Sequence, residues 1–256
     1  MMFRRALAGT FALVTAVAVV AATARADQEY VVNGHDTFRT ANGEMRSETV
    51  YRGVQRLTIT RSHGSTTYDA RVEYDRDGDG GRQHQRASFT ATLLPSGQQQ
   101  DGVTNDPDYL TVLNQPFAVQ LDAPTMRDLA HVKRPVPFDF PSPMTGATLH
   151  GTLRRLPDAT VAGTRAMGVA FEAKGPLHGA LPDRPRVQLA GSITMKGTAY
   201  YAYANALLVA LNATLGIDGT VDDAASKAPI SIVYARSIRT SSDQQAARPA
   251  PIPRRT

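Results

Sequence analysis

Residues 206–221 read ALLVALNATLGIDGTV, and whether this apolar run is helix or strand decides the fold. One alternate set of its positions is Leu207, Val209, Leu211, Ala213, Leu215, Ile217, Gly219 and Val221. The other is Leu208, Ala210, Asn212, Thr214, Gly216, Asp218 and Thr220. Beyond Ala210 the second set is polar or glycine throughout, so a period of two describes the run and a helical period does not. The pattern predicts a long strand with one dry face. A bilayer-spanning helix is excluded, because the run is short and carries Asn212, Asp218 and two glycines, and a central charge in hydrocarbon costs a few kcal/mol.

The same alternation extends outward. Val187, Leu189, Ile193, Met195 and Ala199 share one face, and Arg186, Gln188, Ser192, Thr194, Lys196 and Thr198 the other. A hairpin through Ala202, Tyr203, Ala204 and Asn205 is predicted to join the two strands, with Asn205 as the turn residue that tolerates the left-handed conformation. Ile230, Ile232, Tyr234 and Ile238 alternate with Ser231, Ala235 and Ser237, which adds a third strand. Upstream, Tyr68, Ala70, Val72 and Tyr74 form one apolar face and Ala87, Phe89, Ala91 and Leu93 another. Weaker strand candidates are 50–60, 110–120, 148–154 and 161–173. Strands with one dry and one wet face belong to an antiparallel sheet.

One helix is expected at 122–132, capped by Asp122, with Pro124 in its first turn and Met126, Leu129 and Ala130 on one side. The following RPVPFDFPSP, residues 134–143, holds four prolines and cannot be a central strand. The expected architecture is mainly β: one large curved antiparallel sheet, a half barrel or partly open barrel of about nine strands, with one short helix. Residues 27–240 are read as a single domain with 134–143 crossing the sheet. The competing division, lobes at 27–122 and 146–240, would leave two small sheets with exposed edges.

Composition limits function. Arg4 and Arg5, the apolar run 6–22 and Ala24-Arg25-Ala26 have the layout of an export signal, with cleavage near Ala26 and a periplasmic or extracellular destination. Arg-Arg-Ala-Leu-Ala matches the twin-arginine pattern poorly. Cleavage would remove three arginines and no acidic residue, so the formal charge falls from +5 to +2. Nucleic acid is therefore not an expected partner. Residues 241–256 are read as a disordered basic tail. The absence of cysteine excludes disulfides, thiolate metal sites, a cysteine nucleophile and a lipid-modified cysteine.

No motif marks a catalytic centre. The six histidines never fall at metal-ligand spacing, and there is neither a GxSxG elbow nor a phosphate-binding glycine loop. Asp75, Asp77 and Asp79, followed by Gly80, resemble the opening of a calcium loop, but Arg86 stands where the closing Glu belongs. A Gly/Asp-rich hairpin loop at 75–80 accounts for the same residues. Tyr200, Tyr201 and Tyr203 cluster at a hairpin end and are candidates for the rim of a sheet or of a ligand mouth. With tryptophan absent, stacking platforms for single-stranded nucleic acid are poorly supplied. Small residues on the dry faces leave space for curvature, a packed element or an apolar guest. The candidate cavity residues are Leu189, Gly191, Ile193, Gly197, Leu211, Ala213 and Leu215.

The stretch Val187 to Val221, with GSITMKGTAYYAYANALLVALNATLGIDGTV at its centre, resembles segments of uncharacterised exported bacterial β-sheet proteins. The plan of signal, meander and short helix resembles the half-barrel lipid and lipoprotein carriers of the bacterial envelope. That likeness brings no motif, so no binding residue is carried over. The lipidated members have a cysteine that this chain lacks.

The resulting expectation is an exported, soluble, non-catalytic protein, not an integral membrane protein, that needs no cofactor. It would bind a hydrophobic small molecule or lipid, or an envelope protein. The alternative is a structural or interaction protein whose core fills itself. An outer-membrane barrel shares the alternation, but sparse aromatics and the prolines at 135–143 count against it.

Overall fold

A computed structural model of the chain describes residues 24–40, 44–62, 65–93, 121, 123–141, 148–181, 184–222 and 227–241. Among these residues eleven strands form one antiparallel sheet. The first four are β1 (Ala24–Thr40), β2 (Met45–Ser62), β3 (Ser65–Gly78) and β4 (Gly81–Leu93). Helix α1 (Ala123–His131) follows, then β5 (Val136–Pro141), β6 (Thr148–Arg155) and β7 (Ala159–Val161). The last four are β8 (Thr164–Leu181), β9 (Arg184–Ala202), β10 (Leu208–Asp222) and β11 (Lys227–Thr240).

The strand order is β4-β3-β2-β1-β11-β10-β9-β8-β6-β5, with β7 paired to β8. Two meanders therefore run outward from a central β1–β11 seam, and among the described residues the sheet does not close. Hairpin meanders need only local turns, whereas the seam joins residues about two hundred apart, such as Asp36 opposite Tyr234.

The opening segment is β10, and its alternation holds. Leu211, Leu215 and Ile217 are buried while Asn212 and Asp218 are exposed. At its start, Leu207, Leu208, Val209 and Ala210 are all buried. A register shift between Leu208 and Ala210 explains this, because the extra residue of a β-bulge breaks the period. Val209 thereby joins Ala166 and Ala202 in a small second core, with Val161 and Tyr200 against it.

Several expectations need correction. At the β9–β10 turn the left-handed residue is Ala206 (φ 56°), not Asn205. The Asn205 side-chain oxygen instead accepts the Leu207 amide at 3.1 Å. The strand expected at 161–173 is split by a turn at Ala162-Gly163, both with positive φ, and its second part runs on to Leu181. Within the proline-rich stretch, Val136–Pro141 forms edge strand β5, whose unpaired side tolerates proline. The supposed 75–80 loop is shorter, because β3 and β4 stay paired to Gly78 opposite Gly81 and only Asp79 and Gly80 turn. Strand β1 was not anticipated.

Helix α1 matches its expected span, with Met126 and Leu129 buried. Asp122, the strand expected at 110–120 and the tail from 242 lie outside the described residues, as does the signal segment through residue 23. Among the described residues, no helix is long and apolar enough to cross a membrane.

Three dry-face glycines are places where neighbouring strands press together. A Cβ on Gly191 would lie 2.3 Å from the Asp218 carbonyl oxygen, one on Gly197 2.3 Å from that of Asn212, and one on Gly219 2.4 Å from that of Ala190. Gly197 is also covered by the Phe171 ring, 2.7 Å from the same point. Replacing Gly197 with alanine is thus expected to force a backbone shift and cost about 1–3 kcal/mol in urea denaturation, despite adding one methyl.

Candidate functional site

The dry face forms rows that cross the sheet. One row runs Tyr51, Gly34, Arg236, Ala213, Gly197, Phe171, Leu153 and Val136 on successive paired strands. The row above it runs Thr49, Asp36, Tyr234, Leu215, Met195, Ala173, Gly151 and Phe138. Together with the rows on either side they make one apolar core.

Three tyrosines gather at one end of this face. Tyr30, Tyr68 and Tyr201 are buried there, and the Tyr30 hydroxyl donates to the Leu208 carbonyl at 2.7 Å. Burial raises the pKa of all three phenols, and Tyr201 lies close enough to Tyr68 and Tyr30 to be raised further by them. Four strands separate β3 from β9 in the order, roughly 24 Å on a flat sheet at about 4.8 Å per strand. The sheet must therefore curl strongly. Arg61 fastens the same end through a 3.1 Å hydrogen bond to the Asn205 carbonyl.

Away from these tyrosines the dry face is less completely covered. Phe38, Phe138, Ala213, Val221, Ile232 and Tyr234 pack on the core yet keep partial exposure. They come from β1, β5, β10 and β11, and so surround the open side of the curl.

Two polar features interrupt this face. Arg236 is buried at 3% exposure and pairs through both terminal guanidinium nitrogens with Asp36, the second contact being 3.1 Å. The guanidinium also lies 5.1 Å from the centre of the Tyr51 ring and fills the space above Gly34. Burial pushes the Asp36 carboxyl up, against the opposing pull of Arg236. The second feature is Gln55, which is fully buried on β2.

The candidate cavity residues share the dry face but do not converge on one space. Leu189, Ile193, Leu211 and Leu215 are core residues, and Gly191 is closed by β10. Gly197 and Ala213 contribute to a depression of about 550 Å³. Its walls include Asn33, His35, Lys196, Thr198, Asn212 and Thr214, all at wet-face positions.

The three tyrosines diverge rather than forming a rim. Tyr201 is in the core, Tyr200 packs on the second core, and Tyr203 is exposed. Asp75 is held by Arg82 at 2.6 Å and His84 at 3.1 Å, and the Arg82 hydrogen bond holds its carboxyl below the usual range. Among the described residues no three potential metal ligands cluster.

No family model matches the chain, and no curated protein matches it. Among solved structures, it is similar to a lipovitellin chain in a structure titled for its lipid–protein interactions, at 7% identity and a TM-score of 0.48. That alignment covers 85% of this chain and 25% of the other, so the chain spans about a quarter of lipovitellin's length. It is also similar to the β domain of the Bordetella autotransporter BrkA, at 10% identity and a TM-score of 0.24, covering 84% and 99% of the two chains.

The wet face carries acid–base pairs of ordinary surface type. His35 meets Glu48 at 2.5 Å and His150 meets Asp139 at 2.7 Å, both exposed. Arg56 with Glu29 and Arg86 with Glu73 link neighbouring strands. Exposed pairs of this kind contribute little stability.

A tighter group sits at the β9–β10 turn. Asp158 accepts hydrogen bonds from the Tyr203 hydroxyl and from Arg155, both at 2.7 Å, and these bonds lower its pKa. A lowered carboxylate pKa stabilises the fold above the unfolded-state pKa, and the contribution disappears as pH falls through the folded one. Tyr203→Phe is expected to cost about 0.5 kcal/mol at neutral pH, the low end for a hydrogen bond in a solvated group. In denaturation at a series of pH values, the gap between variant and parent should shrink once Asp158 is protonated.

Proposed function

We propose that this is an exported, non-catalytic binding protein that receives a hydrophobic molecule on the dry face of its curled sheet. The observation that carries this reading is the open side of the half barrel. There, partly exposed Phe38, Phe138, Val221 and Ile232 continue the buried core. Apolar surface left uncovered beside a core favours an apolar guest. Cleavage after Ala26 is compatible with the fold, because it would remove only three residues of β1 and leave the seam pairs from Tyr30 onward in place.

A second reading, a structural protein with a self-filled core, draws on the close strand approach at Gly191, Gly197 and Gly219. The two readings part on one experiment. Native mass spectrometry of the gently purified processed protein should show lipid-sized adducts, and N-phenyl-1-naphthylamine should brighten on mixing. Ligand-free mass alone from several preparations, with no dye response, would select the second reading.

A further inference from the structure

The core contains a side chain whose hydrogen-bonding groups find no partner inside the protein. Gln55 is 0% exposed, and neither its amide nitrogen nor its amide oxygen makes a hydrogen bond. Tyr30 on β1 and Val72 on β3 stand directly opposite it, and Leu57 follows on the same face. Each buried polar group left in this condition costs about 1–3 kcal/mol, a cost that leucine at the position would avoid. The two residues paired with it, a phenol and an aliphatic side chain, carry no charge. Tyr30 gives its hydroxyl to Leu208, and its pKa is raised by burial alone, with no nearby cation acting on it.

We propose that the Gln55 amide anchors an uncharged hydrogen-bonding head group, an ester, amide or alcohol, belonging to a long-chain guest held on the dry face. The amide offers two donors and an acceptor, which suits an ester carbonyl or a hydroxyl. A carboxylate at this position would lose its hydration without gaining a cation, so the anionic form of the same chain is the poorer guest. This inference rests on the apolar-guest reading above.

The test compares displacement of N-phenyl-1-naphthylamine by monoolein, oleate and hexadecane. Tryptophan is absent from the chain, so indole emission does not interfere. The intact protein should prefer monoolein to hexadecane by about tenfold, the worth of roughly one good hydrogen bond in a dry site. Gln55→Leu and the similarly shaped Gln55→Met should lose that preference, keep hexadecane binding and melt no lower than the parent. Equal binding of monoolein and hexadecane to the intact protein overturns the anchor, whether or not the variants fold. So does an undiminished preference in either folded variant. Preference for oleate overturns the uncharged class. Failure of all three probes overturns the apolar-guest reading itself, and the anchor falls with it.

Discussion

Asp36→Ala is expected to cost about 3–5 kcal/mol, because it leaves the Arg236 guanidinium buried without its counter-charge. Arg236 has 1% side-chain exposure, and Asp36 supplies both of its carboxylate contacts. Arg236 also donates to the Ala235 carbonyl at 2.8 Å and lies against the Tyr51 and Tyr234 rings, which attract a cation, but none of these replaces an ion pair. The loss should appear in urea denaturation as a lower midpoint at unchanged slope. Asp36→Leu combined with Arg236→Met should recover most of it, since replacing a buried pair by apolar groups of similar size is often neutral or better. Recovery would also show that β1 and β11 meet at this point, because these two residues come from opposite ends of the chain.

Ile193→Asp should unfold the protein or cost more than about 3 kcal/mol, while Thr194→Asp next to it should change stability by no more than about 0.5 kcal/mol. Ile193 is 0% exposed on the dry face, opposite Ile217 and Gly175, whereas Thr194 is exposed. A charge at Ile193 would find no described cation on its row. Comparable losses at both positions in thermal melts would refute the dry and wet assignment of β9.

What could be read from the sequence follows from what alternation can carry. Strands β9 and β10 were legible because Ile193, Met195, Leu211 and Leu215 fall on one parity while the other is mostly polar or glycine. Strand β1 was not, because its dry face reads Tyr30, Val32, Gly34, Asp36 and Phe38, and the glycine and aspartate break the apolar series. Those two residues exist there for Arg236, which fills the space over Gly34 and pairs with Asp36. Arg236 occupies a dry position in an otherwise regular strand, and that misplaced charge was the signal that a partner waited elsewhere. A search for an acidic residue on another dry face would have led to β1.

The candidate site was legible only in part. Small residues on dry faces were visible, but their purpose depends on how closely the next strand approaches, which one strand's sequence does not encode. Gly191 and Gly197 proved to be closed by backbone. Gln55 was missed because β2 was recognised only as an outline, and a lone glutamine among Tyr51, Leu57 and Ile59 stands out once the face is assigned. The tyrosine cluster was split by the alternation itself, since Tyr201 shares the dry parity of Ala199 and Tyr200 the wet parity of Thr198, while Tyr203 falls in the adjoining turn.

The account depends most on the two meanders sharing one sheet through β1 and β11. Because the chain has no cysteine, a pair introduced as Thr37→Cys and Val233→Cys can be read without background. These residues are directly opposed across the seam, where Cβ atoms lie about 4.5–5.5 Å apart. Mild oxidation of the folded protein should cross-link them as readily as a control pair, Thr37→Cys with Glu48→Cys, across the β1–β2 hairpin. Efficient cross-linking of the control with none at 37 and 233 would contradict the seam and leave two separate sheets.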